Sequence, residues 1–420
     1  MGVRLMSGRV TAGVAAVAVL AGCASAQAVA PLRVSRGIAA AEPAVSAAPY
    51  GAGDTAFGLN VLGAWCRSDP QGNLVLSPAS LATGLGMAYL GARGSTAQAM
   101  AKVLHLPAAG SALRAGLRAR TQALAGLDGP GVTLAQSNHV WADPSLPTLR
   151  TYLNALATAY AGGVTRVPTL TDPSQAAQQI DQAVSAATDG QIPKLVSPGM
   201  LTGIGWVLTS ALYLNAEWAK QFMPSQTGPG QFTTATGAKV TATYLNGAGY
   251  QVATADGWTG VQLPYRGGKV SMEALLPPAT ASSESPSGSC AMPGTAVLDD
   301  LTHGGTTGSI SLPKVGLRSS AGLKDLLSTL GMGIAFRSGA NFTGLSQQAG
   351  DIGFVQQDAT LRVNEKGTVA AAATAVGIVA TAGQAPRGPR IIFDRPYLLL
   401  ITTPAGEPLF LVRVANPLAS

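Results

Sequence analysis

Apolar residues recur at intervals of three and four near 55–66, 80–90, 95–104, 111–125, 149–160, 174–188 and 321–330, a spacing that predicts helices. Apolar runs and alternations over 206–214, 239–245, 261–265, 269–276, 309–315, 352–363 and 391–413 predict strands. Helices crowd the first half and strands the second, which argues for a mixed α+β fold. No repeat of fixed period is visible. Three stretches depart from this pattern: Val10 to Gly22 is continuously apolar, 24–50 is Ala/Pro-rich without periodicity, and 279–294 (ATASSESPSGSCAMPG) is low in complexity.

The first stretch follows two positive charges, Arg4 and Arg9, and is too short to span a membrane, so it has the build of an export signal. It ends in Leu20-Ala21-Gly22-Cys23, which resembles the lipobox of bacterial lipoproteins. That resemblance implies removal of residues 1–22, lipidation of Cys23, and an extracellular protein held to the membrane only by lipid. Ordinary secretion after Ala24-Ser25-Ala26 is the alternative. Residues 23–50 then read as a tether, and the folded domain as 51–420.

A chain of 420 residues, 47% hydrophobic and 11% charged, can bury a large core and is too apolar to stay disordered. Its mean hydropathy of +0.26 invites a membrane reading that only Val10 to Gly22 approaches. Loss of Arg4 and Arg9 with the signal lowers the net charge from +7 to +5. The remaining basic residues are scattered and form no run interleaved with aromatics, so no nucleic-acid partner is expected. Cys66 and Cys290 form a disulfide or stay as two free thiols; their spacing does not decide.

The three histidines, His105, His139 and His303, sit in no nucleophile or metal motif. G-x-S-x-G, H-E-x-x-H and G-x-x-x-x-G-K-[ST] are absent, and Gly84-Leu85-Gly86 lacks the third glycine of a dinucleotide loop. The sequence therefore points to no catalytic residue, metal or cofactor. His105 and His139 are expected to be structural or surface residues.

One segment carries a specification of its own. Val363-Asn364-Glu365-Lys366-Gly367 is a strand-like run ending in a charged break, and Thr368 to Thr381 then contains neither charge nor proline. Its alternate residues Thr368, Ala370, Ala372, Thr374, Val376, Ile378 and Ala380 are small or apolar and would share one face of a strand. Gly383-Gln384-Ala385-Pro386-Arg387-Gly388-Pro389 follows, a composition suited to exposure. The segment is thus fit both for an exposed loop and for a buried strand.

Those residues resemble the hinge of the serpins. Ser77-Pro78-Ala79-Ser80 through Leu90 to Thr96 resembles that family's helix B and the turn after it. Val207 to Tyr213 with Trp218 and Phe222 resembles the third strand of its sheet A and the breach tryptophan. Leu263-Pro264-Tyr265, Leu312-Pro313-Lys314 and the tail from Phe393-Asp394-Arg395-Pro396-Tyr397 to Asn416-Pro417 fall in family order, so the match covers about 53–420. Departures occur at the shutter, where Ser77 and Ser80 match but Ser210 replaces the usual asparagine and Gln357 the usual histidine. Ala183 replaces the helix-F tryptophan.

The resemblance implies three β-sheets surrounded by eight to nine helices, an exposed reactive-centre loop at about 365–390, and a monomer. The implied function is suicide inhibition of a serine protease and not catalysis. The implied hinge is Glu365, Gly367, Thr368 and Ala370, Ala371, Ala372 and Ala373; the implied shutter and breach are Ser77, Ser80, Ser210, Trp218 and Gln357. By family spacing the scissile bond lies sixteen residues after Glu365, at Thr381-Ala382, with register alternatives at Ala380 and Ala385. These small residues suit elastase-like or subtilisin-like pockets. A non-inhibitory serpin acting as a binding or scaffolding lipoprotein is the other reading.

Overall fold

The computed structural model describes residues 32–107, 110–279, 290–302, 305–368 and 388–419. The signal, Cys23, His303, Ala370 to Ala373, Ala380, Thr381, Ala382 and Ala385 lie outside the described residues. From Arg33 onward the chain forms one compact unit.

Nine α-helices occur among the described residues: α1 Ala48–Ser68, α2 Pro78–Gly91, α3 Gly94–Val103, α4 Ser111–Ala125, α5 Arg150–Tyr160, α6 Pro173–Ala187, α7 Pro198–Leu201, α8 Thr295–Thr302 and α9 Lys324–Leu327. Local chemistry sets their ends. Ser77 caps α2 by accepting from the Ser80 amide, with Pro78 at the first position, and Asp172 caps α6 before Pro173 in the same manner.

The first sheet has seven strands. Its order is β1 Val34–Arg36, β4 Gly163–Arg166, β3 Val132–Ala142, β5 Trp206–Glu217, β13 Gly367–Thr368, β12 Gln356–Val363 and β11 Val315–Gly322. The second runs β14 Arg390–Ile392, β10 Thr306–Pro313, β7 Lys239–Ala255, β8 Trp258–Pro264, β9 Ser271–Leu276, β15 Tyr397–Thr402, β16 Pro408–Val414 and β2 Leu74–Leu76, with β6 Gly228–Thr233 paired on β7. The α+β class holds. Two of the three expected sheets are continuous, because the 17-residue β7 pairs β6 with its first half and β8 with its second. β7 turns between the two at Gly249, whose φ of +81° suits glycine.

The inner faces of the two sheets meet in one core, where Leu212, Leu214, Leu361 and Val363 pack with Val261, Leu399 and Val412. A second core lies where the helices cover the other face of the second sheet, around Phe57, Leu62, Leu85, Leu275 and Leu398. Cys66 at the end of α1 and Cys290 are joined by a disulfide with Cα atoms 5.6 Å apart.

The stretch 23–50 is not free tether throughout. Val34–Arg36 pairs antiparallel with β4 and so satisfies the outer edge of the first sheet. The amides of Ile38 and Ala40 then donate to Asn154 Oδ1 (2.8 Å) and Thr158 Oγ1 (2.9 Å) on α5, and Glu42 pairs with Arg114 of α4 at 3.0 Å. Gly37 lies so close to α5 that a Cβ would fall 2.2 Å from the Leu153 carbonyl carbon. These contacts are made mostly by backbone groups, which is why no side-chain periodicity marks them.

Candidate functional site

The site lies between β5 and β12. β5 is fully paired with β3 on one side, and β12 with β11 on the other. Among the described residues the only strand between them is the two-residue β13, with Gly367 opposite Glu217, and Thr368 opposite both Ala216 and Val363. Gly367 is required here, since a Cβ would sit 1.9 Å from the Ala216 carbonyl oxygen.

The turn leading into β13 is closely held. Asn364 Oδ1 accepts from the amides of Lys366 (2.9 Å) and Gly367 (3.3 Å). Trp218 donates its indole N–H to the Asn364 carbonyl (2.9 Å) and its amide to Lys366 (2.8 Å), while the Phe222 amide donates to Glu365 (2.9 Å). The Trp218 ring stacks on Tyr265 at 4.4 Å, and the Tyr265 hydroxyl hydrogen-bonds the fully buried Thr368 hydroxyl. Lys314 pairs with Glu365 at 3.0 Å. Partial burial works against the Glu365 charge, but hydrogen bonds from its own backbone and from Lys314 outweigh it and hold the carboxyl below its usual range.

Below Thr368 the inner faces of β5 and β12 border two cavities. The smaller, of about 40 Å³, is lined by Ser80, Leu85, Leu208, Ser210, Phe354 and Gln357. The larger, of about 380 Å³, lies near the start of β5 against Trp206, Phe342 and Phe354. At the smaller one Ser80 Oγ and Ser210 Oγ are 3.0 Å apart, and Ser210 donates to Asn138 Oδ1 at 2.6 Å. Asn138 stands directly opposite Ser210 in the β3–β5 ladder. The Asn138 amide thereby reaches Ser210 from the neighbouring strand. Gln357 is 4% exposed, and neither its amide nitrogen nor its oxygen has a partner.

The structure thus brings Ser80, Ser210 and Gln357 to one cavity, keeps Ser77 as the cap of α2, and places Glu365, Gly367, Thr368 and Trp218 at the turn above. Sequence reasoning missed Asn138, because β3 was not anticipated, and gave no role to Lys314 or Tyr265, although both fell in recognised motifs. His105 hydrogen-bonds Asn60 at 3.3 Å, and His139 lies tilted beside Trp141, its pKa lowered by burial.

A sheet with a central seam, entered at one end by the root of a loop, is the architecture of the serpins. The chain belongs to that family: the model described as serpin (serine protease inhibitor) matches residues 52–417. It is 30% identical to an uncharacterized serpin-like protein of Thermococcus kodakarensis over 82% of this chain and 81% of that protein. It is 28% identical to the leukocyte elastase inhibitor of Bos taurus over 87% of this chain and 99% of that one. Among solved structures it is similar to native tengpin, a thermophilic serpin, with a TM-score of 0.78 and 22% identity over 91% of this chain and 97% of that one.

Proposed function

We propose that this serpin is a suicide inhibitor of serine proteases and that its loop inserts between β5 and β12 after cleavage. The observation that carries this reading is a match between loop sequence and seam. Extending the register of Gly367 opposite Glu217 sets Ala370, Ala372, Thr374, Val376 and Ile378 opposite Leu214, Leu212, Ser210, Leu208 and Trp206. Extending that of Thr368 opposite Val363 sets Thr374 opposite Gln357. The polar residue of the alternating face meets the polar pair of the seam, and its apolar residues meet apolar ones.

In this mechanism the protease serine attacks the Thr381 carbonyl carbon. An ester to the serine oxygen forms as the Thr381–Ala382 bond breaks, and the Ala382 nitrogen leaves as a protonated amine. The freed segment zips into the seam from Thr368 downward and gains ladder bonds on both edges, each worth about 1 kcal/mol net. The dragged protease loses its oxyanion hole, which supplies about 3 kcal/mol per donor, and the ester persists. Loop insertion of this kind is a known serpin transition. The small residues flanking the bond, and the likeness to a protein named for inhibiting leukocyte elastase, support elastase-like or subtilisin-like targets. The disulfide supports an exported protein, anchored through Cys23 or secreted.

Mixing the protein with subtilisin or pancreatic elastase tests the reading. A denaturant- and heat-stable adduct at the summed mass is expected. Quantitative cleavage with no adduct would favour the non-inhibitory reading.

A further inference from the structure

The surface around β1, where the chain enters the folded unit, has a composition of its own. Arg33, Arg36 and Arg150 are exposed there, and none of them makes an ion pair among the described residues. Arg150, at the start of α5, reaches the Arg36 carbonyl, and Asn154 one turn further on holds the Ile38 amide. Ile38 is 75% exposed, the most exposed large apolar side chain among the described residues, and Val34 is 42% exposed. The one acid of 33–46, Glu42, is already paired with Arg114. Unpaired positive charge mixed with exposed apolar side chains is the chemistry of a face that meets an anionic lipid surface.

Its position points the same way. Ser35 of β1 is opposite Val164, Val164 opposite Val140, and Val140 opposite Leu208 near the start of β5. The loop root, Gly367, is opposite Glu217, nine residues further along β5 and so about 30 Å away. A molecule lying on a bilayer by its β1 end therefore holds its loop clear of the lipid and open to a protease. Cys23 precedes Val34 by eleven residues, a span of at most about 40 Å, so an anchor there keeps this end near the lipid.

We propose that Arg33, Val34, Arg36, Ile38 and Arg150 form a docking face for an anionic bilayer. The arginines meet headgroup phosphates, and Ile38 enters the boundary between headgroups and acyl chains. The inference rests on the reading of the chain as membrane-anchored and adds how the domain sits on the membrane.

The test uses the full chain with Cys23→Ser, so that no lipid is attached and Cys66 and Cys290 stay joined. An environment-sensitive fluorophore is placed at Ile38→Cys or, as a control beside Glu217 at the far end of β5, at Arg266→Cys. With vesicles of phosphatidylcholine containing about 30% phosphatidylglycerol, the emission at 38 should shift to the blue and that at 266 should not. Raising NaCl to about 0.5 M should reverse the shift. Arg36→Glu with Arg150→Glu should weaken partitioning at least about twentyfold, about fivefold per arginine. Should that pair fail to fold, Arg150→Gln alone should weaken it about fivefold. An equal shift on pure phosphatidylcholine, the same shift with soluble heparin, an unshifted label at 38 on bound protein, or unchanged partitioning of the variants would overturn the docking face. Incorporation of labelled palmitate at Cys23 in cells is read separately, so failure of the anchor and failure of the face are distinguishable.

Discussion

Ser210 of β5 donates a 2.6 Å hydrogen bond to Asn138 of β3, its direct partner in the sheet. One side of the seam is therefore tied by a cross-strand pair, while the Gln357 amide on the other side is buried without a partner. An unmatched buried amide costs about 1–3 kcal/mol, a cost the incoming Thr374 hydroxyl would relieve.

Thr374→Asp places a charge at that point of the seam, where burial costs several kcal/mol. Insertion should slow, and the ester should be hydrolysed before the protease is distorted. More than about tenfold more inhibitor should be consumed per protease trapped, since 1.4 kcal/mol already shifts a partition tenfold. Titration of residual protease activity measures this ratio, and an unchanged ratio would contradict the register.

Gly367→Val puts a Cβ against the Ala216 carbonyl, where no side chain fits. The hinge should leave the seam and withdraw Thr368 from Tyr265, beside the stacked Trp218. A red-shifted tryptophan emission and a lower unfolding temperature are expected, together with loss of trapping. Native emission and full trapping would show that the hinge residues need not occupy the seam.

Stability should rise as pH falls from 8 to 5 through a buried triad. Arg120 of α4 pairs with Asp54 of α1 at 2.6 Å and with Glu407 at 2.9 Å, and also donates to Thr83 and to the Ala79 carbonyl. Burial, against the pull of Arg120, raises Asp54 to about 6 and Glu407 to about 7. The folded state therefore binds these protons more tightly than the unfolded chain. The stability they contribute is fully present below the unfolded values near 4 and is lost as pH rises through about 7. Denaturant melts of wild type and Glu407→Gln should diverge in slope across pH 5–8, with the variant flatter. Parallel curves would remove the triad from the pH response.

Thr381→Arg should redirect trapping toward trypsin and weaken it toward elastase and subtilisin, because the side chain before the scissile bond fills the protease pocket. Adduct formation with each protease measures the switch. Unchanged elastase or subtilisin trapping would move the scissile bond to Ala380, Ala382 or Ala385.

Much of this was legible in the sequence where one periodicity held. The first six predicted helices each fall on an observed one and overrun its ends by at most one residue, and the hinge was marked by its charge break and small alternating residues. β3 escaped because Gln136, Asn138 and His139 interrupt its apolar alternation, yet Asn138 is the residue that accepts from Ser210. The predicted strand at 391–413 divides into β14, β15 and β16, separated by Pro396 and by the turn at Gly406. The pairing of Cys66 with Cys290 and the lodging of Thr368 depend on contacts between residues distant in sequence, which spacing does not encode.

The most direct measurement is the unfolding temperature before and after a single cut in the loop beyond Thr368, made by a protease that is not trapped. Insertion adds a full central strand, so the cleaved protein should melt well above the intact one. A cleaved form that melts at or below the intact temperature would contradict insertion, and with it the inhibitory mechanism.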